Sequence, residues 1–399
     1  MIIRGNNRIF RKGELFCGPG GLALGAQLAR TKDKDGNVYQ VEHSWANDID
    51  EFACETFRQN ICKDNPDSVI CDDVRNLDIE SLPPIDAFAF GFPCNDFSLA
   101  GESKGLHGEY GGLYKYGVKV LDVHNPVWFI AENVGGLQSA NDGQAFLIIL
   151  KALENAGKYG YNLTPHLYKF EEYGIPQARH RIIIVGIRKD WNLNFKIPKA
   201  PYKNAPEKWK TSREALENPP IPEDAHNHEF TNHSKKVVEM LKYLGPGENA
   251  WSDNIPENLR LNVKGARMSN IYRRLDDKAP AYTVTGSGGG GTHMYHYSEN
   301  RALTNRERAR LQTFPDNFKF IGNKEQVRKQ IGMAVPVDGA KIIVNAILDT
   351  FAGNQYEYEE PKWKDSVDVL IKKSALKRKK NNKNLNNRYL SEQMELQLY

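Results

Sequence analysis

A cysteine held just beyond an apolar run is the first group in this chain whose setting suits covalent chemistry. Residues 85–90 form an apolar run interrupted only by Asp86, and Gly91, Phe92 and Pro93 then break the run and present Cys94. Proline lacks an N–H and fixes φ, so the chain must leave a sheet there. A thiol at the carboxyl end of a parallel strand stands where open α/β sheets gather their ligands. The plain alternative is a buried structural cysteine in a turn. A second strand-like run, 126–131, ends in Glu132. Parallel strands expose their carboxyl ends on one edge, so Cys94 and Glu132 can share a pocket. A buried glutamate beside a thiol is expected to have a raised pKa and to donate or share a proton near neutral pH. Its alternative is a surface Glu-Asn turn. Arg179 and Arg181 lead into the β-branched run 182–187. Alternation along an extended segment puts both on one side, where they can hold a phosphate or a base oxygen. Otherwise they are solvated charges at a strand end.

The elements that must position these groups read as alternating strands and helices. Residues 14–17 form a short strand that runs into Gly18, Gly20 and Gly21, and helical spacing follows over 22–30. Such a turn lets backbone approach a ligand, and the helix N-terminus favours negative charge. It is not a complete GxGxxG, which counts against a dinucleotide. A second strand over 41–47 ends at Asp48, where a Rossmann-type sheet holds a ribose hydroxyl. A helix N-cap is the other use for an acid there. Asp73 follows a third apolar stretch at another strand end. Residues 31–40 read as a surface excursion. The segment 98–117 carries six glycines, and its length suggests a mobile lid beside the cysteine.

Composition narrows the classes. A chain of 399 residues with 40% apolar content supports a sizeable core and suggests two lobes. No run of eighteen apolar residues occurs, so no membrane span is expected, and the polar, basic first twelve residues lack a signal core. Five scattered cysteines without a CxxC pair suit a reducing, cytoplasmic compartment and argue against a disulfide framework or a metal site. Net charge is +4, but eight Lys/Arg lie in 372–388, so the body is near −4. Any nucleic-acid binding must therefore use a local face, with the tail as a second, nonspecific arm. The Lys/Asn-rich end is expected to be solvated and disordered.

From 189 to about 274 prolines and polar residues interrupt any periodicity, which predicts a smaller irregular lobe. His226, Asn227 and His228 superficially suggest a nuclease motif, but no metal-ligand set accompanies them. The glycine-rich run 286–292 lacks the lysine of an ATP loop, although its backbone could approach a polyanion. Thr304 and Glu307 form a capping box that opens a helix. A further helical stretch, 326–351, is broken near 332–336.

Taken together, the segments resemble the C5-cytosine DNA methyltransferase family, of the bacterial modification type. Residues 14–21 resemble its first cofactor motif and 91–98 its proline-cysteine motif. Glu132-Asn133-Val134 matches ENV, and Gln177-x-Arg179-x-Arg181 matches QxRxR. Residues 301–315 match RxLTxRExxRLQxFP, and Gln330 to Val337 match the closing motif. The resemblance covers about 13–345, without most of 189–270. It implies an α/β fold: a Rossmann-like, mixed seven-stranded sheet binding S-adenosyl-L-methionine, with an inserted, irregular target-recognition domain. The catalytic domain would be discontinuous, 1–188 and 325–355. Residues 189–324 would be the target-recognition domain and hinge, and 356–399 the tail.

The resemblance also implies roles. Phe16 and the backbone of Gly18, Gly20, Gly21 and Leu22 would line the cofactor. Asp48 would hold the ribose, and Asp73 the adenine amino group, with Ile49 and Val74 against the ring. Cys94 would attack C6 of a flipped-out cytosine, Glu132 would bond N3 and the amine, and Arg181 would hold O2 with Arg179 in support. Double-stranded DNA would be the partner of a monomer, with a cognate restriction endonuclease acting on the same site. Two positions depart from the family pattern: Asn95 replaces a glutamine, and Met333 replaces an asparagine. Methylation of tRNA and a degenerate DNA-binding homologue are the rival readings. The long 189–300 insertion opposes the first, and intact Cys94, Glu132 and Arg181 oppose the second. No (D/N/S)-P-P-(Y/F/W) motif for amino methylation occurs.

Overall fold

Hydrophobic periodicity builds one large sheet whose two faces both need cover. The structure, a computed structural model, describes residues 1–92, 112–262, 268–286 and 290–376. Cys94, Asn95, positions 98–111 of the expected lid, positions 287–289 and the tail from 377 lie outside these residues.

The first half supplies β1 (Ile2–Arg4), β2 (Asn7–Leu15), α1 (Gly21–Leu28), β3 (Arg30–Lys32), β4 (Val38–Asp48), α2 (Glu51–Ile61), β5 (Val69–Cys71) and β6 (Ala87–Gly91). Then come α3 (Tyr114–His124), β7 (Trp128–Val134), α4 (Gln144–Asn155), β8 (Tyr161–Lys169), β9 (Gln177–Ala178) and β10 (His180–Arg188). The sheet runs β3-β4-β2-β6-β7-β10-β8, with β1 on β2 and β5 on β4. β5, β4, β2, β6 and β7 are mutually parallel, and β10 is antiparallel to both β7 and β8. The sheet is mixed, as expected, but has nine strands rather than seven. The added pieces are hairpin strands. Residues 31–40 are not a surface excursion: Asp33 accepts from the backbone of Asp35 and Asn37, Gly36 turns with φ 81°, and β3 pairs back onto β4.

In β6, alternation sends Ala87 and Ala89 to one face and Phe88 and Phe90 to the other. The alanine face is covered by α1 and a late helix, α9 (Val337–Ala352). The phenylalanine face is covered by α3 and α4. Phe90 meets α3 so closely that a Cβ on Gly117 would lie 2.4 Å from its ring. The expected lid segment therefore ends in a packed helix from Tyr114 onward.

The second half adds β11 (Ile197–Pro198), α5 (Ser212–Glu217), α6 (Lys235–Leu241), β12 (Ala281–Tyr282), α7 (Asn305–Leu311), α8 (Lys324–Met333), α9 (Val337–Ala352) and β13 (Tyr358–Glu359). The capping box read at Thr304 and Glu307 is present, and Arg301 grips the same glutamate with two bonds of 2.8 Å. The stretch 324–352 is apolar enough to cross a membrane by composition, yet it is mostly buried and broken at 334–336. It is core: Gly25 of α1 faces the Val337 carbonyl and Ala340 of α9 so tightly that a Cβ would clash with both.

A separate core does exist in the irregular region, but it is small: Met240, Leu241, Leu244, Ile255, Tyr295 and Ala302. Residues just after 189 do not join it. Phe195, Ile197 and Ala200 complete the alanine-face core, and Ala215 and Leu216 pack in the cluster around Phe57 and Phe314. The boundary expected at 189 thus cuts through the main core. Arg306 is buried and bonds the carbonyls of His226, Pro315 and Phe318, while Asn227 bonds Phe320 in both directions. The His-Asn-His stretch is a backbone anchor.

The tail beginning at 356 is corrected as well. β13 pairs with β11, Trp363 packs on Phe146, and Val367 is buried in the helical run 367–376. Three large apolar side chains, Trp363, Val367 and Leu370, outweigh the lysines around them. His166 fastens this strap, because its Nδ1 accepts from the backbone N–H of Lys362 at 3.1 Å. Burial, with help from Lys203 and Lys362, pushes the imidazole down to about 4 from 6.5, despite Glu359 at 3.7 Å. The unfolded chain then binds the extra proton between those values. Stability is expected to fall as pH drops from about 6.5 towards 4, by up to about 1.4 kcal/mol per unit. Denaturation midpoints against pH should show this contribution, and His166→Asn should make the slope shallower by that amount, leaving the part due to other buried histidines such as His43 and His293.

Candidate active site

The carboxyl ends of β4, β2, β6 and β7 lie side by side, with Leu15 opposite both Asn47 and Phe90 and with Gly91 opposite Glu132. The turn after β2 is strained in a useful way. Phe16 has φ 55° and Gly18 φ 53°, and nothing lies within 4 Å of where a Gly18 Cβ would stand. By contrast, a Cβ on Gly21 would meet the Val335 carbonyl at 2.4 Å, so that glycine permits helix packing rather than ligand approach. Asp48 fixes the turn by accepting from Gly18 N at 2.8 Å and Asp50 N at 3.0 Å. Burial raises its pKa, while those N–H groups lower it. The cap of α2 is Asp50, which leaves Asp48 for the turn and a ligand.

Ile49 next to it is 68% exposed, an apolar side chain open at the surface. Asp73 caps the short turn 74–76 and pairs with Arg75 at 2.7 Å, which holds its carboxyl below the usual range. Val74 is buried beside it. Open space at Gly18, a half-buried acid at Asp48 and an exposed apolar residue fit a nucleoside with a charged tail. They are the sequence-derived cofactor residues, brought to one edge.

On the neighbouring strands, Glu132 and Arg181 meet: Nε to Oε1 is 3.0 Å, with both side chains 13% exposed. Glu132 therefore faces a cation. A Cβ on Gly91 would lie 3.2 Å from Oε2, so Gly91 admits the carboxylate to the β6 exit. Asn133 holds that exit by donating to the Phe92 carbonyl at 3.1 Å. Cys94 follows two residues later, outside the described residues.

Arg179 and Arg181 find different partners. Backbone bonds from Gln177 N to Ile175 O and from Arg179 N to Gln177 O fold tight three-residue turns that lead into Arg179. Its buried guanidinium donates to the carbonyls of Val284 and Gly332 at 3.0 and 2.9 Å. It is a positioning residue. Sequence reading missed Gln312, which bonds Gln177, Ile331 O and Ala334 O from a fully buried site. The only signal was a polar residue inside the matched 301–315 run. Met333, in turn, is 62% exposed, so its departure costs the core nothing.

Gly332 is the pinch point of this bracket. A Cβ there would lie 1.9 Å from Gly286 N and 2.2 Å from the Thr285 carbonyl carbon. Both are backbone, so neither yields cheaply. Gly332→Ala is expected to cost about 1–3 kcal/mol and to lower the unfolding temperature by several degrees. A calorimetric scan checks it.

The profile of the C-5 cytosine-specific DNA methylase family matches residues 10–349. The chain belongs to that family. This methylase is a DNA (cytosine-5-)-methyltransferase with a Rossmann-like methyltransferase fold. It is 67% identical over 359 residues to the Type II methyltransferase M.BbvI of Brevibacillus brevis, covering 89% of this chain and 95% of that one. It is 40% identical to the Type II methyltransferase M.NgoFVII of Neisseria gonorrhoeae, covering 85% and 87%. Among solved structures, a DNA modification methyltransferase encoded within an E. coli prophage aligns with TM-score 0.63 at 23% identity, over 86% of this chain and 99% of that one, a likeness of fold.

Proposed function

We propose that the methylase modifies C5 of a flipped-out cytosine within one short duplex DNA sequence, using S-adenosyl-L-methionine, as the modification partner of a restriction endonuclease. The observation that carries this reading is the Glu132–Arg181 pair, set at the β6 and β7 exits beside Gly91. Asp48, Ile49, Asp73, Val74, Phe16 and the Gly18–Leu22 backbone would hold the cofactor, which supplies an electrophilic methyl group. The small core around Met240 and Tyr295 supports a target-recognition lobe, and the Type II relatives support a cytoplasmic, restriction-modification setting.

The residues divide the work by charge. Cys94 adds as thiolate to C6, which breaks aromaticity and makes C5 an enamine-like carbon. Glu132 delivers a proton to N3 as negative charge builds there, and Arg181 holds both the carboxylate and O2. After methylation, loss of the C5 proton expels Cys94. Reaching the base requires flipping it from the duplex, at a few kcal/mol. Base-resolution 5-methylcytosine sequencing of DNA from a methylation-deficient host expressing the chain tests the proposal. Methylation confined to one short sequence is expected. Soluble protein with unmethylated DNA would overturn it.

A further inference from the structure

A small cavity between α7 and α8 is walled by cations that the methyl-transfer site does not use. Arg308 and Arg328 line it with His293, Thr231, Lys324 and Glu229, around a volume of about 10 Å³. That is close to the room one water or one phosphate oxygen needs. Arg308 is 2% exposed, and its Nη2 is buried with no hydrogen-bond partner; Arg328 Nε is buried and unpartnered too. A buried guanidinium without a counter-charge is costly, so such groups are normally paired.

The nearby acids are spent or distant. Glu307 is held by Arg301 through two bonds of 2.8 Å. Glu325 approaches Arg328 Nη2 only to 3.7 Å, and Glu229 is an exposed residue on the cavity wall. Lys324 Nζ is bonded to the Phe230 carbonyl at 2.7 Å. Burial, with Arg308 and Arg328 adding to it, pushes His293 down to about 4, so the imidazole is neutral and adds no repulsion near pH 7. The glycine-rich run noted in the sequence begins beside this place, since Gly286 packs on the backbone of Lys329.

We infer that the Arg308–Arg328 cavity is an anion site that takes one oxygen of a phosphate group. Two fixed guanidinia and a neutral imidazole donate, and the anion supplies the missing counter-charge. The phosphate comes either from solution or from the DNA backbone, and the two are separable. Inorganic phosphate is titrated into the full-length protein at constant ionic strength while thermal unfolding is followed. With a solution anion, wild type gains unfolding temperature with phosphate and Arg308→Met does not. With a DNA phosphate, inorganic phosphate has little effect. The slope of log K against log salt for duplex binding then falls by about one in Arg308→Met. In either case Arg308→Met without anion unfolds no earlier than wild type, because an uncompensated buried charge is gone. Arg328→Gln should lose the same response. A cavity that merely holds water would show neither the phosphate effect nor the slope change, and that result overturns the proposal. So would an Arg308→Met protein that unfolds several degrees early with no phosphate response in wild type.

Discussion

Cys94→Ser is expected to lower methyl transfer by at least about 10³-fold while S-adenosyl-L-methionine binding is retained. The reason is thermodynamic. A free thiol with pKa near 8.5 is already a few per cent thiolate at about pH 7, and sulfur attacks well. A serine hydroxyl is essentially un-ionised there. No other described cysteine can stand in: Cys17, Cys54 and Cys62 are buried, and Cys71 lies at the end of β5. Burial also pushes the Cys17 thiol well up, with Asp48 and Glu14 adding to the effect. Single-turnover transfer of labelled methyl to duplex DNA, beside cofactor binding by calorimetry, separates the two functions. Turnover within tenfold of wild type would remove Cys94 from the mechanism.

Glu132→Gln is the second large effect, expected at about 10²–10⁴-fold in the methyl-transfer step. The substitution is nearly isosteric. Its amide oxygen can still accept from Arg181 Nε at the 3.0 Å now seen, so the pair's geometry should survive. What is lost is the proton for N3 and the negative charge that orients the guanidinium. DNA binding should therefore change little while the single-turnover rate collapses. A rate that stays near wild type would show that N3 is protonated from elsewhere.

Arg179 and Arg181 show where sequence alternation stops short of naming partners. Both belong to one matched motif, and period-two reasoning put them on one face. In the fold one guanidinium meets Glu132 and the other ties Val284 to Gly332. The carbonyls that Arg179 holds lie 105 and 153 positions away, so residue types alone do not encode them. The tail gives a related lesson. Its lysines suggested solvation throughout, but Trp363 and Val367 find apolar partners on α4 and the sheet face that exist only once the sheet has formed.

By itself, the sequence determined the alternating architecture, the glycine turn that follows β2, the Thr304–Glu307 cap and the break between α8 and α9. Each rests on contacts within a few residues, or on a side-chain period that burial enforces. Tertiary structure alone decided that Gly332 must lack a side chain, that Gln312 joins three motifs, and that Arg308 and Arg328 share a cavity. Those facts depend on segments distant in sequence, such as Gly286 and Gly332, or on helices brought together by a common core. Packing at that range is set by the whole fold, because only the assembled core fixes which distant atoms must touch.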